Sequence, residues 1–180
     1  LYGLGGLALL SIIFSIFGLI SFSPLGLVIS LVVLLATCFG SNYLFAKLFK
    51  ASLNIESPLI TALILFFLFI PPTSGKEILV IIGGGALAMA SKYVLAIKRK
   101  HLFNPAAISA VILSLLGSGI AIWWVATPIL LPFVLIIGLA VVKKIRRFAL
   151  FLAFLVASLI MIANMAEWNV SATWVLIKLV

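Results

Sequence analysis

Apolar runs near twenty residues long follow one another along almost the whole chain, each closed by proline, glycine or a short basic cluster. A run of ~20 apolar residues is what an α-helix needs to cross the ~30 Å hydrocarbon core of a bilayer. Backbone placed in that medium has to satisfy its hydrogen bonds internally, so runs of this kind predict helices. With 66% hydrophobic and 8% charged residues and a mean hydropathy of +1.48, the chain lies outside the range of ordinary soluble domains. The expected fold class is all-α: a polytopic helical membrane protein with about seven crossings, two of them short or interrupted. No polar stretch is long enough for a soluble domain, so residues 1–180 are read as a single transmembrane domain. The start at Leu1 and the end inside an apolar run are read as those of a piece of a longer chain.

Punctuation gives the expected helices. They run from about Leu4 to Phe22, Leu25 to Phe45, Pro58 to Ile70, Ile78 to Ile97, Pro105 to Leu116, Pro128 to Val142 and Phe148 to Met165, with a mixed tail from Ala166. Gly117-Ser118-Gly119 interrupts the fifth, and Ile120 to Val125 continues outward. Alternating sides at each crossing puts Lys47, Lys50, Lys98, Arg99, Lys100, Lys143, Lys144, Arg146 and Arg147 on one side. The other side holds Lys76, Glu77 and Glu167. This is the positive-inside pattern, with the N-terminus and the basic loops cytoplasmic and Trp123 and Trp124 at the outer interface. The same pattern accounts for the net charge of +9, so no nucleic-acid partner is called for; the partner is the bilayer.

Two helices are too short to cross alone. Pro58 to Ile70 gives about 20 Å of helix at ~1.5 Å per residue, and Pro105 to Leu116 is similar. Paired short or broken helices mark membrane sites built from helix ends, or else a pair of kinked packing helices. Asn104-Pro105 is a helix start, with Asn suited to the N-cap and Pro to the first turn. Free N–H groups at such a start attract anions, and His101 stands just before it. Lys92 sits within the fourth helix, where a lysine either faces protein or snorkels to the interface. Gly84 with Ala88, and Ala86 with Ala90, form small-xxx-small pairs that suit close helix packing, or a flat ring pressed on the backbone. Thr61, Ser109 and Ser114 are polar groups in apolar surroundings, expected to back-bond to their own helices. One histidine, three acids and one cysteine, Cys38, make neither a metal cluster nor a catalytic triad nor a carboxylate pair, so no catalytic or metal residue is assigned. Transport, electron transfer through a bound cofactor, and passive anchoring of a redox module remain open.

Three segments together resemble the NqrB/RnfD family of membrane redox (flavin) proteins. Ser57 to Pro72, SPLITALILFFLFIPP, resembles that family's short helix ending in Pro-Pro. Ser91-Lys92 resembles its Gly-Lys pair, and His101 to Ala107, HLFNPAA, its Phe-Asn-Pro-Ala signature. Order and spacing agree over roughly Ser57 to Val111. The resemblance implies a membrane component of an NAD(P)H- or ferredoxin-linked oxidoreductase in a prokaryotic cytoplasmic membrane. It further implies FMN or riboflavin as cofactor, Na+ or H+ translocation as the coupled process, and other redox subunits as partners. Some relatives instead fuse a shorter membrane half, like this chain, to a ferredoxin-reductase-type module holding FAD and NAD(P)H. The family attaches FMN to threonine in a Ser/Thr-Gly-Ala-Ser/Thr motif. Its nearest match here, Val170-Ser171-Ala172-Thr173, has valine for the first hydroxyl residue and serine for glycine. The expected cofactor-binding residues are Thr61, Lys92, His101, Phe103 and Asn104, with Thr173 carried by that motif.

Overall fold

A computed structural model describes the backbone of residues 1–97, 100–101 and 103–178, and the side chains of residues 1–95 and 103–164. The fold is all-helical among the described residues apart from one two-residue ladder. The helices are α1 (Tyr2–Ile16), α2 (Pro24–Leu48), α3 (Glu56–Leu68), α4 (Gly75–Val94), α5 (Pro105–Leu115), α6 (Leu131–Ile145) and α7 (Phe148–Lys178). Between α4 and α5, strands β1 (Ala96–Ile97) and β2 (Lys100–His101) pair antiparallel, with Ala96 opposite His101. The fourth helix thus stops three residues before the expected end, at the edge of the basic cluster. The chain divides into two compact units, Leu1–Val134 and Leu135–Val180.

Local chemistry sets the helix ends. Ser23 and Asn104 each cap a helix that opens on proline, their side chains accepting from the N–H groups of Gly26 and Ala106. Ser74 and Glu77 form a capping pair at the start of α4. The Ser74 hydroxyl accepts from Glu77 N–H, and the Glu77 carboxylate accepts from Thr73 N–H at 2.6 Å. α1 and α5 end on left-handed glycines, Gly18 (φ 70°) and Gly117 (φ 71°). The next amide reaches back five residues in each case, Leu19 N–H to Phe14 C=O at 2.9 Å and Ser118 N–H to Leu113 C=O at 3.1 Å. α1 therefore finishes well before Phe22. Giving Gly117 a Cβ forces an L-residue into the left-handed region, so Gly117→Ala is expected to cost about 1 kcal/mol. The check is a lowered unfolding midpoint of the detergent-purified protein.

The two short helices are where the sequence places them, and their far ends meet. Phe69 leaves α3 in extended conformation and bridges Ala121 antiparallel. Ile70 N–H donates to Ile120 C=O at 2.9 Å, and Ile122 N–H donates to Leu68 C=O at 2.8 Å. The Trp124 indole N–H donates to Phe66 C=O at 2.8 Å. Two open carbonyls at the end of α3, those of Phe66 and Leu68, are therefore paired by the segment that follows α5. Trp124 is 5% exposed and packs edge-on against Phe22 and Phe66, so it is a core residue and not the interface anchor expected of it. Trp123, 47% exposed, is the member of this pair at the surface.

α4 packs between α2 and α5 through its glycines. A Cβ on Gly84 would stand 2.6 Å from the Phe69 ring and 2.9 Å from Leu113, and one on Gly85 would stand 3.0 Å from Thr37. The Ser109 hydroxyl donates to Gly84 C=O at 2.6 Å, crossing to α4 instead of back-bonding within α5. Gly84 and Gly85 thus face protein side chains, which at these two positions favours helix packing over a flat ring, whereas Gly83 has open space where a Cβ would go. Thr61 does bond to its own helix, at Ser57, and Ser91, for which no such bond was expected, bonds back to Ala88. Large apolar side chains remain exposed on every helix but α3, Leu9, Leu25, Leu79, Leu115 and Phe154 among them. α2 and α4 are long and apolar enough to cross a membrane as single helices.

Candidate polar cavity at the starts of α3 and α5

The starts of α3 and α5 lie side by side and form an open cavity of about 550 Å³. Asn54, Glu56, Ser57 and Thr61 line it from the α3 side, with Ile60 and Ile64 behind them. Phe103, Asn104 and Pro105 close it from the α5 side. Thr61 lies deep, 6% exposed, whereas Phe103 is 59% exposed at the rim.

Each helix start is capped from within. The Asn54 side-chain carbonyl accepts from Glu56 N–H at 2.9 Å and Ser57 N–H at 3.3 Å. The Asn104 side-chain carbonyl accepts from Ala106 N–H at 3.1 Å. These caps use donors that would otherwise face an anion. The Glu56 carboxylate adds a negative charge to the wall, and no cation lines the cavity among the described residues. The amide N–H groups of Asn54 and Asn104 and the hydroxyls of Ser57 and Thr61 leave neutral donors and acceptors on the walls, in keeping with an uncharged polar ligand.

Lys92 stands outside this cavity but is tied to it. Its ammonium donates to the Asn42 side-chain oxygen at 3.0 Å and lies 5.2 Å from the centre of the Tyr93 ring. Tyr93 donates to the same oxygen at 2.8 Å and stacks on Phe49. The Asn42 amide N–H donates to the Asn54 backbone carbonyl at 3.4 Å.

Of the expected site residues, Thr61, Phe103 and Asn104 come together on one cavity, and Lys92 reaches it through Asn42 and Asn54. The side chains of His101 and Thr173 lie outside the described residues. Sequence reasoning missed Asn42, Asn54, Glu56 and Ser57. Asn42 carries a usable signal, an amide inside an apolar run, of the same kind that singles out Lys92. Glu56, expected in a loop, is the first residue of α3. No known protein family, characterised protein or solved structure matches this chain in comparison.

Proposed function

We propose that this chain is the membrane part of a flavin-dependent electron-transfer oxidoreductase, with the cavity at the starts of α3 and α5 as its flavin site. One observation carries the reading. The Ser57–Thr61 stretch and the Phe103–Pro105 stretch are distant in sequence and belong to the two segments that most resemble the NqrB/RnfD family. Both line the same polar cavity.

Length arithmetic supports a polytopic arrangement of about seven crossings. The 13 residues of α3 give about 20 Å, and residues 69–72, extended at ~3.3 Å each, add about 13 Å, enough for a ~30 Å core. Lys47 and Lys50 precede α3, and the 98–100 cluster precedes α5. Both helices then enter from the cytoplasmic side of a prokaryotic membrane, and the cavity opens to that side. There it is accessible to partner redox subunits, or to a fused FAD- and NAD(P)H-binding module, with coupling to Na+ or H+ movement as part of the same reading.

The residues present fit the neutral ring and ribityl part of riboflavin or FMN. The volume lies within the range of small-ligand sites, ~300–1,000 Å³. Phe103 offers a face for stacking, and the hydroxyls of Ser57 and Thr61 and the free amide N–H groups of Asn54 and Asn104 suit the polar edge of the ring. Ile60 and Ile64 give the wall an apolar stretch for the ring. A flavin, when bound, supplies reversible one- and two-electron transfer. Beyond the cavity the first unit is filled by Phe66, Phe67 and Phe69, each 0% exposed, and by Trp124, which favours binding over a conducting path.

Flavin absorbance and in-gel fluorescence of the purified protein test the reading. Phe103→Ala is expected to weaken flavin binding about tenfold, the upper end of what an aromatic stack contributes beyond its buried area. Asn104→Ala is expected to weaken it further. A well-folded preparation that neither carries nor takes up flavin rejects the proposal.

A further inference from the structure

Asn42 is 3% exposed at the place where α2, the last turn of α4 and the segment before α3 meet. Its amide is oriented by its neighbours on α4. An ammonium has three donors and no acceptor, so the Lys92 side chain needs an oxygen opposite it, and the Tyr93 hydroxyl proton needs one too. The Asn42 side-chain oxygen takes both, at 3.0 Å and 2.8 Å, and since the Tyr93 hydroxyl also lies 3.3 Å from the Asn42 backbone carbonyl, it is Lys92 that sets the orientation. Turning the amide over would set two N–H donors against the ammonium. With the oxygen held toward α4, the N–H side faces the Asn54 backbone carbonyl, 3.4 Å away. Asn54 in turn caps α3 through Glu56 and Ser57 and forms part of the cavity wall. No carboxylate pairs with Lys92 among the described residues, so this buried amide is its polar partner there.

We infer that Asn42 is a positioning residue for the cavity: its amide, oriented by Lys92, holds the Asn54 carbonyl and with it the cap of α3 on the cavity wall. The inference rests on the flavin reading for its effect on ligand binding, but its structural content stands without a ligand. Lys92 acts on the cavity through Asn42, without touching what the cavity holds.

Asn42→Asp separates this role from simple packing. The carboxylate keeps both acceptor positions for Lys92 and Tyr93, now with a full charge on Lys92's partner, so the α2–α4 contact holds. It has no N–H for the Asn54 carbonyl and opposes one oxygen to another. The expected result in ligand-free protein is faster amide exchange confined to peptides covering residues 53–58, with an unchanged unfolding midpoint. Flavin affinity is expected to fall about fivefold, the equivalent of one neutral hydrogen bond. Asn54→Ala, which removes the cap and leaves Asn42 in place, should produce the same local exchange, and the double variant should add nothing further. If Asn42→Asp does not fold, Asn42→Ser, too short to reach the Asn54 carbonyl, takes its place with the same exchange at residues 53–58 as the readout. Wild-type exchange at residues 53–58 in Asn42→Asp, or additive effects in the double variant, overturn the inference. Faster exchange in a protein that binds no flavin upholds Asn42's role and rejects the flavin reading alone.

Discussion

Trp124→Ala is expected to lower stability by about 3–5 kcal/mol, the range for emptying a buried tryptophan site. The indole packs against Phe22, Phe66 and Phe67 with ring centroids 5.4–6.1 Å apart. Its N–H is also the partner of the Phe66 carbonyl near the end of α3. In an aromatic core no water takes the place of that donor, so the carbonyl is left unpaired as well as the cavity empty. Trp124→Phe isolates the second effect. It keeps much of the ring and loses only the donor, with an expected cost of about 1–3 kcal/mol. Thermal scans of detergent-purified protein, read by far-UV circular dichroism, rank the three. If Trp124 were a surface anchor at the bilayer interface, both variants would unfold close to wild type, and that outcome refutes the capping role.

Local features of the fold were legible in the sequence because their causes are local. Asn104-Pro105 announces a helix start, since the cap and the fixed φ of proline act within one turn. Gly117 announces a helix end for the same reason, and the two together mark α5 as short. Pro71-Pro72 does likewise for α3. The reason those short helices exist was not legible. It lies in the pairing of residues 68–70 with 120–122, far apart in the chain, and nothing in either stretch names the other. Trp124 was misplaced for this reason. The interfacial preference of tryptophan is a statement about side chains at the end of a crossing, and here the chain after Gly119 turns its second tryptophan inward to close α3. The cavity divides similarly. Thr61, Phe103 and Asn104 stand out as polar or aromatic groups beside helix starts. Asn42 belongs to the site through partners on α4 and before α3, and an asparagine in an apolar run does not reveal which neighbours it faces. The early end of α4 has no signal of its own either. The apolar pattern continues to Ile97, but Ala96 and Ile97 pair with Lys100 and His101, and that ladder takes over from the helix.

Gly84→Val is expected to be as damaging as loss of Trp124, through too much volume where that loss leaves too little. The first added carbon already falls 2.6 Å from Phe69 and 2.9 Å from Leu113, below any real contact distance, and the Phe69 ring is fully buried and cannot swing away. Gly84→Ala is expected to cost about 1–3 kcal/mol by overpacking, and valine more, since its two further methyl groups meet the same wall. Gly83 provides the control. It lies one residue away on the same helix with open space where its Cβ would go, so Gly83→Ala should be neutral or stabilise by roughly 0.5–1 kcal/mol. The pair distinguishes a packing glycine from general helix propensity, which predicts a gain at both. Phe69 also carries the bridge to Ala121, so strain at Gly84 passes directly into the junction of the two short helices. Gly84→Ala combined with Phe69→Leu should therefore be less destabilised than the sum of the single changes, because leucine lacks the ring atoms nearest the new methyl group. Strict additivity in that cycle would mean that Gly84 and Phe69 do not press on one another, and the close approach of α4 to the α3–α5 junction would lose its support.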